Sequence, residues 1–160
     1  MPERLWAVNA SPIISLANIG YAHLLSESCS QMIIPKAVAI EIMNGPNDDP
    51  AKHWIATTGQ QWIQETGTIL PIISGWDLGA GESAVLSWCC QHPDYEAVID
   101  DLAARNFAKS FGVSLCGTVG VIVIAKKRGV ISSVKPLLAS LIDPSLCTAA
   151  LHLAGESASS

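Results

Sequence analysis

Polar side chains able to hold a cation stand at the edges of apolar runs in four widely separated places. They are Asn9 in Val8-Asn9-Ala10-Ser11-Pro12, Glu41 in Val38-Ala39-Ile40-Glu41-Ile42, Glu82 in Gly79-Ala80-Gly81-Glu82-Ser83, and the pair Asp100-Asp101 after Ala97-Val98-Ile99. Carboxylates held close together repel and raise one another's pKa. A hard divalent cation removes that penalty, so acids gathered from such distant places point to a Mg2+ or Mn2+ site. Asn9 is the exception. As an amide it takes one negative charge out of the set, and it decides between a working site and a weakened one.

The chemistry of such a site is phosphodiester hydrolysis, which needs a water of lowered pKa and stabilisation of charge on the phosphorus oxygens. Two hard cations about 4 Å apart supply both. Magnesium accepts one or two carboxylates and keeps several waters, so the remaining acids are enough for one ion. An Asn carbonyl can ligate but cannot act as a base, and weakened metal affinity is the expectation.

Each position also has an ordinary structural explanation. Asn9 can be an Asx-type cap that helps Ser11 start a helix. Glu41 can be a solvated helix residue, and Glu82 is favoured at a helix N-terminus by the macrodipole alone. Asp100 or Asp101 can be an N-cap. Gly79, Gly81 and Gly117 to Gly120 suit turns and close packing, because neither GxGxxG nor a Walker pattern is present. His23, His53, His92 and His152 show no metal-ligand spacing. Trp54 and Trp62 could stack on bases, although core or dimer contact suits buried aromatics better.

The elements that must position these residues alternate between short apolar strands and helices. Leu5 to Val8 is too short for a helix and predicts a buried strand. Ser11-Pro12 opens a helix as N-cap and first helical residue, ending near Gly20. A short helix over Tyr21 to Leu25, a strand over Met32 to Ile34 and a helix from Pro35 through Met43 follow. After the turn-rich loop Asn44 to Pro50 come a helix from Ala51 to about Gly59 and extended pieces around Ile63 and over Ile69 to Ile73. Further on, the pattern predicts a helix over Glu82 to Cys90, a strand over Glu96 to Ile99, a helix over Leu102 to Phe111 and a strand over Val113 to Cys116. Helices over Thr118 to Arg128, Val134 to Leu141 and Asp143 to about Leu153 complete the pattern. This alternation predicts an α/β domain whose parallel sheet is covered on both faces. In such a domain ligands gather at the carboxyl ends of strands, where Asn9 and Asp100 fall.

The chain has 160 residues, room for one domain (residues 1–155) with a small polar tail (156–160) expected to fray. Apolar residues make up 49% and charged ones 14%, a surface so poor in charge that a partner, in the simplest case a second copy, is expected to cover part of it. No apolar run approaches the roughly 18 residues of a membrane span and no leader pattern opens the chain, so a cytoplasmic protein without a membrane partner is expected. The odd count of 5 cysteines without a CxxC pair suits buried thiols in a reducing compartment. The net charge of −5 argues against a tight sequence-reading DNA binder. Yet Arg105, Lys109, Lys126, Lys127, Arg128 and Lys135 form a basic stretch without an acid. Arg105, Lys109 and Lys126 are candidates for holding a polyanion against a metal centre. Helix C-termini explain Lys126, Lys127 and Arg128 before Gly129 equally well.

In this order the signals resemble the PIN-domain superfamily, and more closely its small prokaryotic PIN-like branch. The resemblance rests on Val8 to Ile14, Ile33 to Ile42, Gly79 to Leu86, Val98 to Arg105 and Gly117 to Ile122, and covers about residues 5 to 130. It implies a three-layer α/β/α sandwich with a central parallel sheet. It also implies acids that bind one or two Mg2+ or Mn2+ ions and cleave single-stranded RNA. Many relatives are toxins neutralised by a small antitoxin protein, and many dimerise. Carried over, Asn9 falls where the family's first strand usually ends in Asp, and Ser11 matches a hydroxyl that orients that ligand. Glu41 and Glu82 match acids of two helices, and Asp100 or Asp101 the acid after the fourth strand. Asp100 is preferred as the metal-facing one, with Asp101 its neighbour or a helix cap, and Thr118 matches a late polar position near the site. A receiver-like phosphoacceptor fold also places acids at strand ends, but it needs a late Lys on a strand, and Lys126 falls in a helical stretch.

Overall fold

Leu5-Trp6-Ala7-Val8 carries apolar side chains on both sides of an extended backbone, so it can be stable only between two layers. In the computed structural model, which describes residues 3–142, it forms the middle strand of a parallel sheet. The strands are β1 (Leu5–Val8), β2 (Gln31–Pro35), β3 (Ile63–Gln64), β4 (Tyr95–Val98) and β5 (Leu115–Cys116), in the order β3-β2-β1-β4-β5. Trp6, Ala7 and Val8 are each 0% exposed although successive side chains point to opposite faces, so helices cover the sheet on both sides. The fold is a three-layer α/β/α sandwich.

The helices among the described residues are α1 (Ala10–Asn18), α2 (His23–Glu27), α3 (Lys36–Met43), α4 (Pro50–Ala56), α5 (Pro71–Ser74), α6 (Ala80–Gln91), α7 (Leu102–Phe111), α8 (Thr118–Lys127) and α9 (Lys135–Ile142). Helix α8 is closed by Gly129, whose φ of 78° is the left-handed conformation that glycine adopts without strain. From β1 the chain moves to β2 and β3 on one side, then crosses to β4 and β5 on the other. In a parallel sheet such a reversal is where a ligand crevice forms, here at the carboxyl ends of β1 and β4. Strand pairing continues to its lip, where the Asn9 N–H donates to the Val98 carbonyl at 3.0 Å and the Ile99 N–H to the Cys116 carbonyl at 3.0 Å. Helices α1, α3, α7 and α8 all start just after a strand, and their N-termini face the same edge of the sheet.

Several element boundaries differ from the sequence expectation. Helix α1 starts at Ala10, so Asn9 and not Ser11 takes the cap position, with φ −83° and ψ 170°. Pro12 then sits in the first turn, where its missing N–H has no helical partner to lose. The stretch Ile69 to Ile73, expected as extended, instead turns into α5 at Pro71, since proline is preset for a first helical turn. The Leu70 N–H ahead of it donates to the buried Ser87 hydroxyl at 3.1 Å. Helix α6 starts at Ala80 and therefore takes in Gly81 ahead of Glu82. The helix expected from Asp143, the tail, Cys147 and His152 lie outside the described residues.

The described cysteines are free, and burial pushes the Cys89 and Cys116 thiols up to about 12 and Cys29 to about 11, which leaves them unreactive near neutrality. Among the described residues no helix is long and apolar enough to cross a membrane. The centre of the sheet holds one polar pairing. Trp6 lies opposite Glu96 in register and donates its indole N–H to Glu96 Oε1 at 2.8 Å, while Arg4 Nη1 approaches the same oxygen at 3.3 Å. Glu96→Ala strands a donor on a side chain that is 0% exposed, and chemical denaturation should read a loss of about 1–3 kcal/mol. Glu96→Gln keeps an acceptor and gives up mainly the part-exposed ion pair, a loss of under about 1 kcal/mol.

Candidate metal centre

Glycine on helix α6 sets the geometry of the first half of the site. A Cβ on Gly81 would lie 3.0 Å from Glu41 Oε2 and 3.1 Å from Asn9 Oδ1, so both oxygens close on the bare Cα of that residue. Asn9 arrives from the end of β1 and Glu41 from the later part of α3, which packs against α6. Glu82 turns back toward the start of its own helix, and a Cβ on Gly79 would lie 2.5 Å from its Oε2. Burial raises the Glu41 pKa above the ordinary glutamate value, and the nearby Glu82 charge raises it further. Three groups therefore gather around the first turn of α6: one amide and two carboxylates that repel.

Asp100 belongs to the second half. Its Oδ1 accepts the Thr118 N–H at 2.9 Å, and its Oδ2 accepts the Thr118 hydroxyl in a short hydrogen bond. Thr118 is buried at the N-terminus of α8, so this pair ties the end of β4 to the start of the helix after β5. Asp101 has a different task, because its Oδ2 accepts the Ala104 N–H at 3.0 Å as the N-cap of α7. The two adjacent acids are thus divided, Asp100 tied to the start of α8 and Asp101 to the start of α7. A Cβ on Gly117 would lie 3.0 Å from Asp100 Oδ1 and 3.7 Å from Arg105 Nη1, so an arginine stands beside this carboxylate.

The acids thus form two neighbouring groups joined by the Asn9–Val98 main-chain bond rather than one ring. Among the described residues no three carboxylate, imidazole or thiol groups lie together closely enough to hold a metal ion. Ser11 is exposed on the first turn of α1, and among the described residues its hydroxyl makes no hydrogen bond to the acids. Lys109 is exposed one turn beyond Arg105 on α7. Lys126 is in the last turn of α8, about 12 Å along the axis from Thr118 at 1.5 Å per residue, and is not brought to the crevice.

The cap explanation for Asn9 does not account for its side chain. Asn9 is 1% exposed, its side chain makes no cap hydrogen bond, and its Oδ1 has no partner. A buried acceptor without a donor costs about 1–3 kcal/mol, and a water, a cation or a cation-bound water would satisfy it. The donor set of an amide oxygen and Glu41 Oε2, with Glu82 adding charge, consists of hard oxygens. It fits one Mg2+ or Mn2+ ion that keeps most of its waters.

The glycines were the signal that residue types alone did not reveal. Gly81 lies in the first turn of α6, where glycine still gives up part of the roughly 1 kcal/mol by which alanine is favoured in a helix interior. A glycine kept there next to an acid marks a place where another side chain needs the room.

The raised Glu41 pKa predicts a small effect on stability. The folded state holds that proton more tightly than the unfolded chain, so without a cation stability falls as pH rises above the ordinary glutamate range. Glu41→Gln removes this loss and should stabilise the fold at neutral pH by under about 1 kcal/mol, read as a small rise in Tm, because the residue is exposed and its carboxyl only partly desolvated. Added Mn2+ should raise Tm in the parent and leave the variant unmoved, which thermal denaturation with and without the ion checks.

A family model described as a PIN domain matches residues 5–155 of the chain. No curated protein matches it.

Proposed function

Since the chain belongs to the PIN-domain family, a family of nuclease-type modules, we propose that it is a metal-dependent endonuclease acting on single-stranded RNA. The observation that carries this reading is the buried, unpartnered Asn9 Oδ1 beside Glu41 Oε2, at the crevice where strand order reverses. Asn9 and Glu41 would hold one Mg2+ or Mn2+ ion, and Glu82 would add negative charge beside it. The ion, when bound, lowers the pKa of its water and screens charge on the phosphate oxygens. Asp100 is held from both oxygens by Thr118 and keeps lone pairs free to orient the attacking water. Asp101 acts at one remove by fixing the start of α7. Arg105 and Lys109, in successive turns of that helix, would follow the phosphate backbone, and Lys126 could meet only a more distant phosphate.

The Asn9 amide and the divided acids favour a second reading, a weakened PIN module that binds RNA or a protein partner without cutting it. Incubating single-stranded RNA with Mn2+ and either the parent or Asn9→Asp separates the two. Cleavage by the parent supports the nuclease, cleavage by the variant alone supports the weakened module, and cleavage by neither removes the enzymatic reading. Membership of a toxin–antitoxin pair and a homodimer belong to the same proposal. Leu102 and Val119, 72% and 53% exposed beside the crevice, are apolar surface such partners would cover. Sedimentation of the pure protein tests the dimer.

A further inference from the structure

Trp54 is only half-buried, and it lines a pocket of about 340 Å³ between the end of α1, the start of α2 and helix α4. The indole is held from two sides. Trp62 stacks on it with ring centroids 5.9 Å apart and planes at 19°. The buried Gly59 takes its benzo edge, where a Cβ would lie 2.7 Å from Cζ3 and 2.8 Å from Cε3. What these two leave uncovered faces the pocket, so a flat apolar surface is fixed in place before anything binds. Gly20 and Ala22, with almost no side chain, give the pocket its room.

The rest of the lining sets the chemistry of the occupant. His23, His53 and Thr58 are exposed there, and among the described residues no hydrogen bond uses either imidazole or the Thr58 hydroxyl. A neutral imidazole offers one donor and one acceptor nitrogen, and a hydroxyl takes both roles. His23 is oriented by stacking on Tyr21, with ring centroids 5.5 Å apart. No carboxylate, ammonium or guanidinium group lines the pocket, so it is not built for a phosphate or an amine. A flat face with neutral donors and acceptors around it matches an uncharged heteroaromatic ring. We propose that the pocket receives an unpaired base of an RNA strand, stacked on Trp54 and hydrogen-bonded at its edge by His23, His53 and Thr58. The pocket lies at the far end of α1, where Ala17 is about 12 Å along the axis from Asn9 at 1.5 Å per residue. The base held here therefore belongs to a nucleotide away from the cleaved linkage, and it sets the hold on the strand rather than the chemistry. This rests on the nucleic-acid reading above and deepens it by adding a base subsite.

The test is equilibrium binding of a single-stranded oligoribonucleotide over a range of salt, in Ca2+ so that no cleavage interferes. A strand of the same length without bases is the control, and circular dichroism checks each variant for an unchanged fold. Trp54→Ala should weaken binding of the RNA about five- to a hundredfold, the loss of one base stacked on an aromatic ring. The slope of log affinity against log salt should not change, since no phosphate contact is lost. Trp54→Phe keeps a flat ring and should recover most of the affinity. The double variant His23→Ala/His53→Ala touches only exposed side chains, should weaken binding with the fold intact, and decides the matter if Trp54→Ala does not fold. The strand without bases should bind the parent and every variant alike. Binding by the parent with Trp54→Ala and the histidine variant indistinguishable from it overturns this inference and leaves the nucleic-acid reading standing. An equal loss on the strand without bases does the same. Failure of the parent to bind RNA at all removes both.

Discussion

Asn9→Asp is expected to tighten Mn2+ binding by roughly ten- to a hundredfold, at least the scale on which supporting groups around a metal tune its affinity. The substitution is nearly isosteric, so the carboxylate oxygen takes the place of Oδ1, beside Glu41 Oε2 on the bare face of Gly81. It adds the negative charge that the amide lacks, at a side chain that is 1% exposed. Without a cation that charge lies beside Glu41, which burial and Glu82 already push toward protonation. An uncompensated buried charge is costly, by several kcal/mol in comparable settings. The ion-free variant should therefore melt well below the parent, and saturating Mn2+ should reverse the order, because a ligand bound only by the folded state stabilises it by mass action. Calorimetric titration gives the affinity, and thermal melts with and without Mn2+ give the linkage. A variant whose melting ignores Mn2+ would mean that position 9 does not face a cation.

Gly81→Ala should separate stability from function. Alanine at the second position of α6 favours the helix by at most about 1 kcal/mol, and the methyl also meets the buried Val38 Cγ2 at 3.3 Å, so the net change in stability is small. Its methyl group would arrive 3.0 Å from Glu41 Oε2 and 3.1 Å from Asn9 Oδ1, inside ordinary contact distance of both candidate ligands. The space they share disappears, and cation binding should fall below detection while the folded content stays intact. Any RNA cleavage should fall with it. If Mn2+ still binds as tightly as in the parent, the ion lies elsewhere in the crevice. The contrast with Asn9→Asp is informative, since one change adds charge without volume and the other adds volume without charge.

The order of elements was legible from local pattern because a strand buried on both faces needs a short, apolar run, as in Leu5 to Val8 and Met32 to Ile34. Helix starts were less legible. Ser11-Pro12 is a good local opening signal, but the chain must turn immediately after β1, and it does so at Asn9 to keep Ala10 and Ile13 in the core. The stretch around Ile69 to Ile73 is apolar enough for a strand, yet Pro71 suits a helical turn and the Ser87 hydroxyl satisfies the N–H just before it. Side chains distant in sequence made those choices, and no window of a few residues contains them.

By itself the sequence determined which residues reach the carboxyl edge of the sheet, because apolar periodicity dictates where each strand must end and a polar group can follow. Tertiary structure alone decided what each of those groups does there. Asp100 and Asp101 are adjacent and chemically identical, but Thr118 engages one while the N–H of Ala104 holds the other. Asn9 and Glu41 share a space only because α6 presents a glycine to both. A carboxylate's role is set by the donors and charges within a few ångströms of it, and in a parallel sheet those neighbours come from crossovers far along the chain.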